Sequence, residues 1–186
     1  MQDNLLLFYL SLLVLILAGA AFFLFRQILR TRRKESRISK LQKLIKEESA
    51  TAKDYYELAS LYVEKKLFVQ ATKLLQQALK FKDVEDENRA LIYNAMGYAY
   101  FAQEQYDLAI RQYKEAIKLF PEYVIGLNNL ANAYAQKKLL AQAIETYEKA
   151  LEYDPENPTA KRQLEKLEKR FAKDASPEEE PSQSKS

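Results

Sequence analysis

The chain contains no cysteine and no histidine. Their absence removes disulfides, thiolate nucleophiles, imidazole bases and the commonest protein ligands of zinc and iron. The catalytic groups left are carboxylates, lysine, serine and tyrosine, and none stands in a context that would activate it. We therefore expect no enzyme and no cofactor. Tryptophan is absent too, and only 3 Gly and 5 Pro occur among 186 residues. So few turn formers, beside 13 Tyr and 9 Phe, argue for bulky helical packing over a turn-rich β architecture. The expected fold class is all-α.

Charge is missing altogether from Leu5 to Phe25, a run of 21 residues reading LLLFYLSLLVLILAGAAFFLF. About 20 apolar residues carry a helix across the hydrocarbon core of a bilayer, and this run has no polar face with which to sit on a soluble core. It reads as a transmembrane anchor, residues 1–25. The competing reading is a cleavable signal peptide, with Ala18-Gly19-Ala20 as the cleavage pattern. Against it, Met1 to Asn4 carries no Lys or Arg, and the apolar run continues past the site through Phe22-Phe23-Leu24-Phe25.

Residues 26–46 then hold nine basic side chains (Arg26, Arg30, Arg32, Arg33, Lys34, Arg37, Lys40, Lys43, Lys46) against the single acid Glu35. Lys and Arg flanking a span are retained on the cytoplasmic side, which places the C-terminal part in the cytoplasm or its organellar equivalent. Topology and anionic headgroups account for the cluster, so no nucleic-acid partner is expected. Ile28, Ile38, Leu41, Leu44 and Ile45 recur at helical spacing within a basic linker, residues 26–51. It either continues the membrane helix, lies along the headgroups, or is a solvated spacer. Residues 47–173 are balanced, with 19 basic and 20 acidic residues.

Self-similarity appears at a period of 34 residues. Tyr93, Met96, Gly97, Tyr100, Tyr106, Ala109, Tyr113, Ala116 and Pro121 recur as Leu127, Leu130, Ala131, Tyr134, Leu140, Ala143, Tyr147, Ala150 and Pro155. A looser copy upstream has Tyr55, Leu58, Ala59, Tyr62, Phe68, Ala71, Leu75 and Ala78. It is displaced by 38, with four extra residues in the acidic link 83–88 and Asp83 where a proline is expected. This pattern resembles the tetratricopeptide repeat, and the resemblance implies a three-repeat TPR α-solenoid over residues 52–157 (52–85, 90–123 and 124–157). Gly97, Ala59 and Ala131 would let the first helix of each repeat approach its neighbour, and Pro121 and Pro155 would stop the second helix. One repeat cannot bury its own apolar face, so three approach the minimum for stability. Residues 158–173 read as a C-terminal capping helix with Asn157 as N-cap, Pro158 at the first helical position and a stripe of Leu164, Leu167 and Phe171. Residues 174–186 have the composition of a disordered acidic tail.

Stacked helix pairs form a concave surface lined by their first helices. The candidate protein-binding residues there are Tyr56, Ser60 and Val63, then Asn94, Tyr98 and Phe101, then Asn128, Asn132 and Gln136. Asparagine donates and accepts at once and suits a peptide backbone, while Tyr98 and Phe101 are aromatic anchors or inter-repeat packing. None of the nine is basic, which argues against the carboxylate clamp by which some repeats of this kind capture acidic chaperone tails.

The span, the string FRQILRTRRKE from Phe25 to Glu35, and three repeats with a cap are similar to the ycf37-like family. These are small thylakoid tetratricopeptide-repeat proteins of cyanobacteria and algal plastids, encoded by a conserved chloroplast reading frame and linked to photosystem I assembly. The resemblance implies a thylakoid membrane protein with its repeats on the cytoplasmic or stromal side and photosystem I subunits or assembly intermediates as partners. It carries over no catalytic residue. A general bacterial envelope scaffold of the same architecture is the alternative.

Overall fold

A computed structural model of the chain describes residues 2–175. The expected acidic tail lies outside the described residues apart from Asp174 and Ala175, which close the last helix, and the side chain of Phe171 lies outside them too. Among the described residues there are eight helices and no strand, and the chain divides into two compact units at Ala50.

The first unit is one helix, α1 (Gln2–Lys46), about 67 Å long at 1.5 Å per residue. It runs from the apolar segment into the basic one without a break, so the linker continues the helix. From Phe8 to Leu29 its described large apolar side chains stand exposed, and its mean hydropathy reaches 2.5. Among the described residues it is the one helix long and apolar enough to cross a membrane. Its end is a left-handed turn at Glu48 (φ 54°), where Glu48 N–H donates to Ile45 O and Ser49 N–H to Leu44 O.

The second unit stacks α2 (Ala52–Glu64), α3 (Phe68–Ala78), α4 (Asp86–Phe101), α5 (Tyr106–Leu119), α6 (Val124–Gln136), α7 (Leu140–Tyr153) and α8 (Pro158–Ala175). A capping box opens it: Asp54 N–H donates to Thr51 Oγ1 at 3.4 Å, and Thr51 N–H to the Asp54 carboxylate at 2.9 Å. Each helix packs on the next in sequence, and among the described residues the second-neighbour contacts are α2 with α4, α4 with α6, and α6 with α8. Among the described residues no second helix touches another second helix. The array therefore curves with the first helices inside, the arrangement of a TPR solenoid, and α8 takes the inner position that a fourth repeat would begin with.

Turns within repeats are built without glycine. Lys66, Glu104 and Lys138 adopt φ near +60° at equivalent positions. In each, the residue after the turn donates to a tyrosine carbonyl in the last turn of the first helix: Leu67 to Tyr62, Gln105 to Tyr100, Leu139 to Tyr134. These Schellman pairings satisfy helix-end carbonyls and offset the cost of a left-handed residue.

The acidic link is part connection and part helix: residues 83–85 lie between α3 and α4, and Asp86 opens α4. α4 is 16 residues long against 13 for α2 and α6, with about one added turn at its start and Asp86 and Glu87 placed favourably at a helix N-terminus. Where proline closes the other repeats, Arg89 reaches back from this added turn and donates to Leu79 O and Phe81 O, both at 3.3 Å. A side chain thus satisfies the carbonyls at the end of α3.

The core falls in two clusters. One joins repeats 1 and 2 through Ala59, Ala71, Leu75, Ala78, Ile92 and Met96. The other runs from Ala109 and Tyr113 through repeat 3 into Ala160 and Leu167 of α8. Between them Gly97 of α4 lies tightly against α5. A Cβ added to Gly97 would meet the ring of Tyr113 at 2.5 Å, and that ring is 1% exposed.

Candidate protein-binding groove

The nine residues expected on the inner face stand on α2, α4 and α6, and the structure engages them differently. Tyr98 stands free, 48% exposed. Phe101 packs edge-on against Tyr106 at 5.3 Å and belongs with the second core, as Tyr56 and Val63 do with the first. Ser60 donates to its own helix at Tyr56 O.

Asn94 and Asn128 act as struts between repeats. Asn94 Nδ2 donates to Tyr123 Oη at 3.1 Å, and one period later Asn128 Nδ2 donates to Asn157 Oδ1 at 3.1 Å. The same Asn157 oxygen accepts Ala160 N–H, so the N-cap of α8 is tied to α6. Asn129 Nδ2 completes the row by donating to Asn94 Oδ1 at 2.9 Å. Asn128 Oδ1 is buried and finds no donor among the described residues, so this amide is not available to a peptide. Asn132 and Gln136 are: they line an open cleft of about 510 Å³ between α6 and α8.

Three groove residues escaped the sequence reading. Ile125, 61% exposed, precedes Asn128 and Asn132 by three and seven residues and shares their helical stripe. Its counterpart in repeat 2, Leu91, lines a second cleft of about 610 Å³ with Tyr56, Asn88, Asp83 and Glu85. Tyr123, before α6, joins Tyr56, Tyr98 and Tyr113 in a cluster of phenols. Burial first and the Tyr56 phenol second push Tyr123 up to about 12. Burial, then Tyr98 and Tyr123, pushes Tyr113 further up. Tyr113 and Tyr123 therefore stay protonated at physiological pH. The arrangement suits recognition of an extended or helical protein segment: exposed Tyr98 and Ile125 for apolar contact, amides and phenols for polar contact. Among the described residues no group of three or more His, Cys, Asp or Glu side chains converges to hold a metal.

Comparisons agree with this geometry. The tetratricopeptide repeat family matches residues 48–122 and 94–160. A Cyanophora paradoxa protein named "uncharacterized protein ycf37" is 42% identical over 164 residues, covering 88% of this chain and 95% of that one. The Arabidopsis thaliana protein named "Tetratricopeptide repeat domain-containing protein PYG7, chloroplastic" is 36% identical over 82% of this chain, which spans 51% of the Arabidopsis protein. The solved structure of MamA from Desulfovibrio magneticus RS-1 superposes with a TM-score of 0.67 at 20% identity, over 79% of this chain and 81% of that one. At that identity it speaks for the fold.

Proposed function

We propose that this chain, which belongs to the ycf37 family of tetratricopeptide-repeat proteins, is a membrane-anchored scaffold that assists photosystem I assembly or stability at the thylakoid membrane. The observation that carries the scaffold reading is the inner face, where Tyr98, Ile125, Asn132 and Gln136 are left uncommitted beside side chains fully used in packing. The photosystem I part comes from the family, and the chloroplastic relative supports a photosynthetic setting. The exposed apolar stretch of α1 supports a single span, and the nine basic residues after it favour repeats on the cytoplasmic or stromal side. Protease applied to that face of thylakoids removes the repeats in this topology; protection there reverses it.

The partner is tested by capture. Tagged protein from mildly solubilised thylakoids is expected to recover photosystem I subunits. Tyr98→Ser with Ile125→Ser is expected to lower that recovery by about tenfold or more, because exposed apolar anchors dominate interface energy, while exposed substitutions change stability by about 0.5 kcal/mol or less. Equal recovery with both forms, or none with the natural one, would sink the assignment.

A further inference from the structure

The inner face does not end at repeat 3. Displacing Asn128, Asn132 and Gln136 by the repeat period of 34 gives Arg162, Lys166 and Arg170 of α8, the helix that occupies the fourth inner position. The corresponding positions upstream are Asn94, Tyr98 and Ala102, displaced by 34, then Tyr56, Ser60 and Glu64, displaced by a further 38, so three rows without a cation are followed by a row of three cations. Lys166 and Arg170 line the cleft of about 510 Å³ directly opposite Asn132 and Gln136. Lys138, from the left-handed turn after α6, and Lys169 line it as well, and among the described residues no carboxylate does. Lys169 is engaged by Glu165 at 2.6 Å, whereas no ion pair of Lys138, Lys166 or Arg170 is present among the described residues.

This concentration is local. Residues 47–173 carry 19 basic against 20 acidic residues, so the cations at the cleft are not the spill-over of a basic domain. Leu167, 4% exposed, anchors α8 in the core, and its neighbours Gln163, Lys166 and Arg170 are turned to the cleft by helical spacing. A mostly aliphatic cap would seal the array equally well.

We infer that this end of the groove takes an acidic peptide segment of a protein partner. The Lys138, Lys166 and Arg170 side chains meet its carboxylates in charge-assisted hydrogen bonds. The amides of Asn132, Gln136 and Gln163 meet its backbone, and Tyr147 forms the floor. The inference rests on the reading of the repeats as a holder of partner proteins and adds the chemistry of what is held. The cations come from the cap and the last turn, and the corresponding first-helix positions of the three repeats hold none.

The probe is a labelled peptide of about eight residues, about 26 Å when extended, with glutamate at alternate positions, beside a twin carrying glutamine instead. Binding to the full chain in neutral detergent is read by fluorescence anisotropy. The acidic peptide is expected to bind at least about tenfold more tightly than its twin, and to weaken as salt is raised. Lys166→Gln with Arg170→Gln, which keeps helix propensity, is expected to remove that difference. Lys118→Gln with Lys149→Gln, on the second helices α5 and α7, is expected to leave it intact. Equal loss in both double variants means net charge alone and overturns the inference. So does tighter binding after deletion of residues 176–186, because the cleft then belongs to the chain's own Glu178-Glu179-Glu180. Displacement of the peptide by phosphatidylglycerol vesicles overturns it in favour of lipid. Failure of the peptide with photosystem I capture still dependent on Tyr98 and Ile125 removes this inference and leaves the scaffold reading; peptide binding without any such capture does the reverse.

Discussion

Tyr113→Ala is expected to cost about 3–5 kcal/mol of stability, the range for emptying a buried aromatic site. The ring is 1% exposed and lies against Gly97 of the preceding helix, with ring carbons 2.5 and 2.6 Å from where a Cβ would stand. Gly97→Ala is expected to destabilise as well. Overpacking costs about 1–3 kcal/mol, and the gain in helix propensity of about 1 kcal/mol offsets only part of it. The repeats themselves supply the compensating change. The equivalent pair is Ala59 with Leu75 in repeat 1 and Ala131 with Tyr147 in repeat 3, each pair sharing a core cluster. Importing the repeat 1 pair reverses the sign at position 97: Gly97→Ala destabilises beside the tyrosine ring but stabilises on the background of Tyr113→Leu. Urea unfolding of the full chain in mild detergent, followed by circular dichroism, measures all four forms of this cycle. Simple additivity of the two changes would refute the packing account.

Removing residues 158–186 is expected to lower stability on the order of 3–5 kcal/mol and to cause self-association. Leu167 at 4% and Ala160 at 0% exposure leave the core with α8. A fully buried leucine alone contributes about 1.5–3 kcal/mol. Tyr147, 2% exposed, belongs to the same cluster and loses those neighbours. Asn157, which holds the Asn128 amide, loses Ala160 N–H at the same time. A milder version isolates the polar tie: Asn157→Ala removes the bond to Ala160 N–H and leaves the Asn128 amide without an acceptor. About 1–2 kcal/mol is expected from loss of the cap. A truncated chain that unfolds at the same urea concentration, without self-association, would show that α8 does not seal the array.

Periodicity made the helices legible because every landmark is a packing residue, and packing repeats when the unit repeats. Gly97, the alanines, the cap at Asn157 and the inner stripe were all within reach of spacing arguments. What spacing could not show is which inner residues are already used. The partner of Asn94 lies 29 residues away in Tyr123, and that of Asn128 lies 29 residues away in Asn157. Both asparagines therefore looked free on their own helices. The left-handed turns were silent because Lys66, Glu104 and Lys138 carry no glycine signal. Spacing located four extra residues in the acidic link without assigning them a structure, although four residues is close to one helical turn of 3.6 and Asp86 and Glu87 suit a helix start. The role of α8 was half visible: its apolar stripe marked it as a cap, while the register that makes Lys166 and Arg170 part of the inner face emerges only once α8 is seen in the fourth inner position. Ile125 was legible in principle, since it stands one turn before Asn128 on the same stripe.

The account stands or falls on the protein's effect on photosystem I, measured as the ratio of photosystem I to photosystem II in thylakoids of a cyanobacterial or plastid host. A strain lacking the protein is expected to show a lowered ratio, and a strain carrying Tyr98→Ser with Ile125→Ser a ratio lowered in the same direction. The natural chain, reintroduced, is expected to restore it. An unchanged ratio in the deletion strain under several light regimes would contradict the photosystem I assignment.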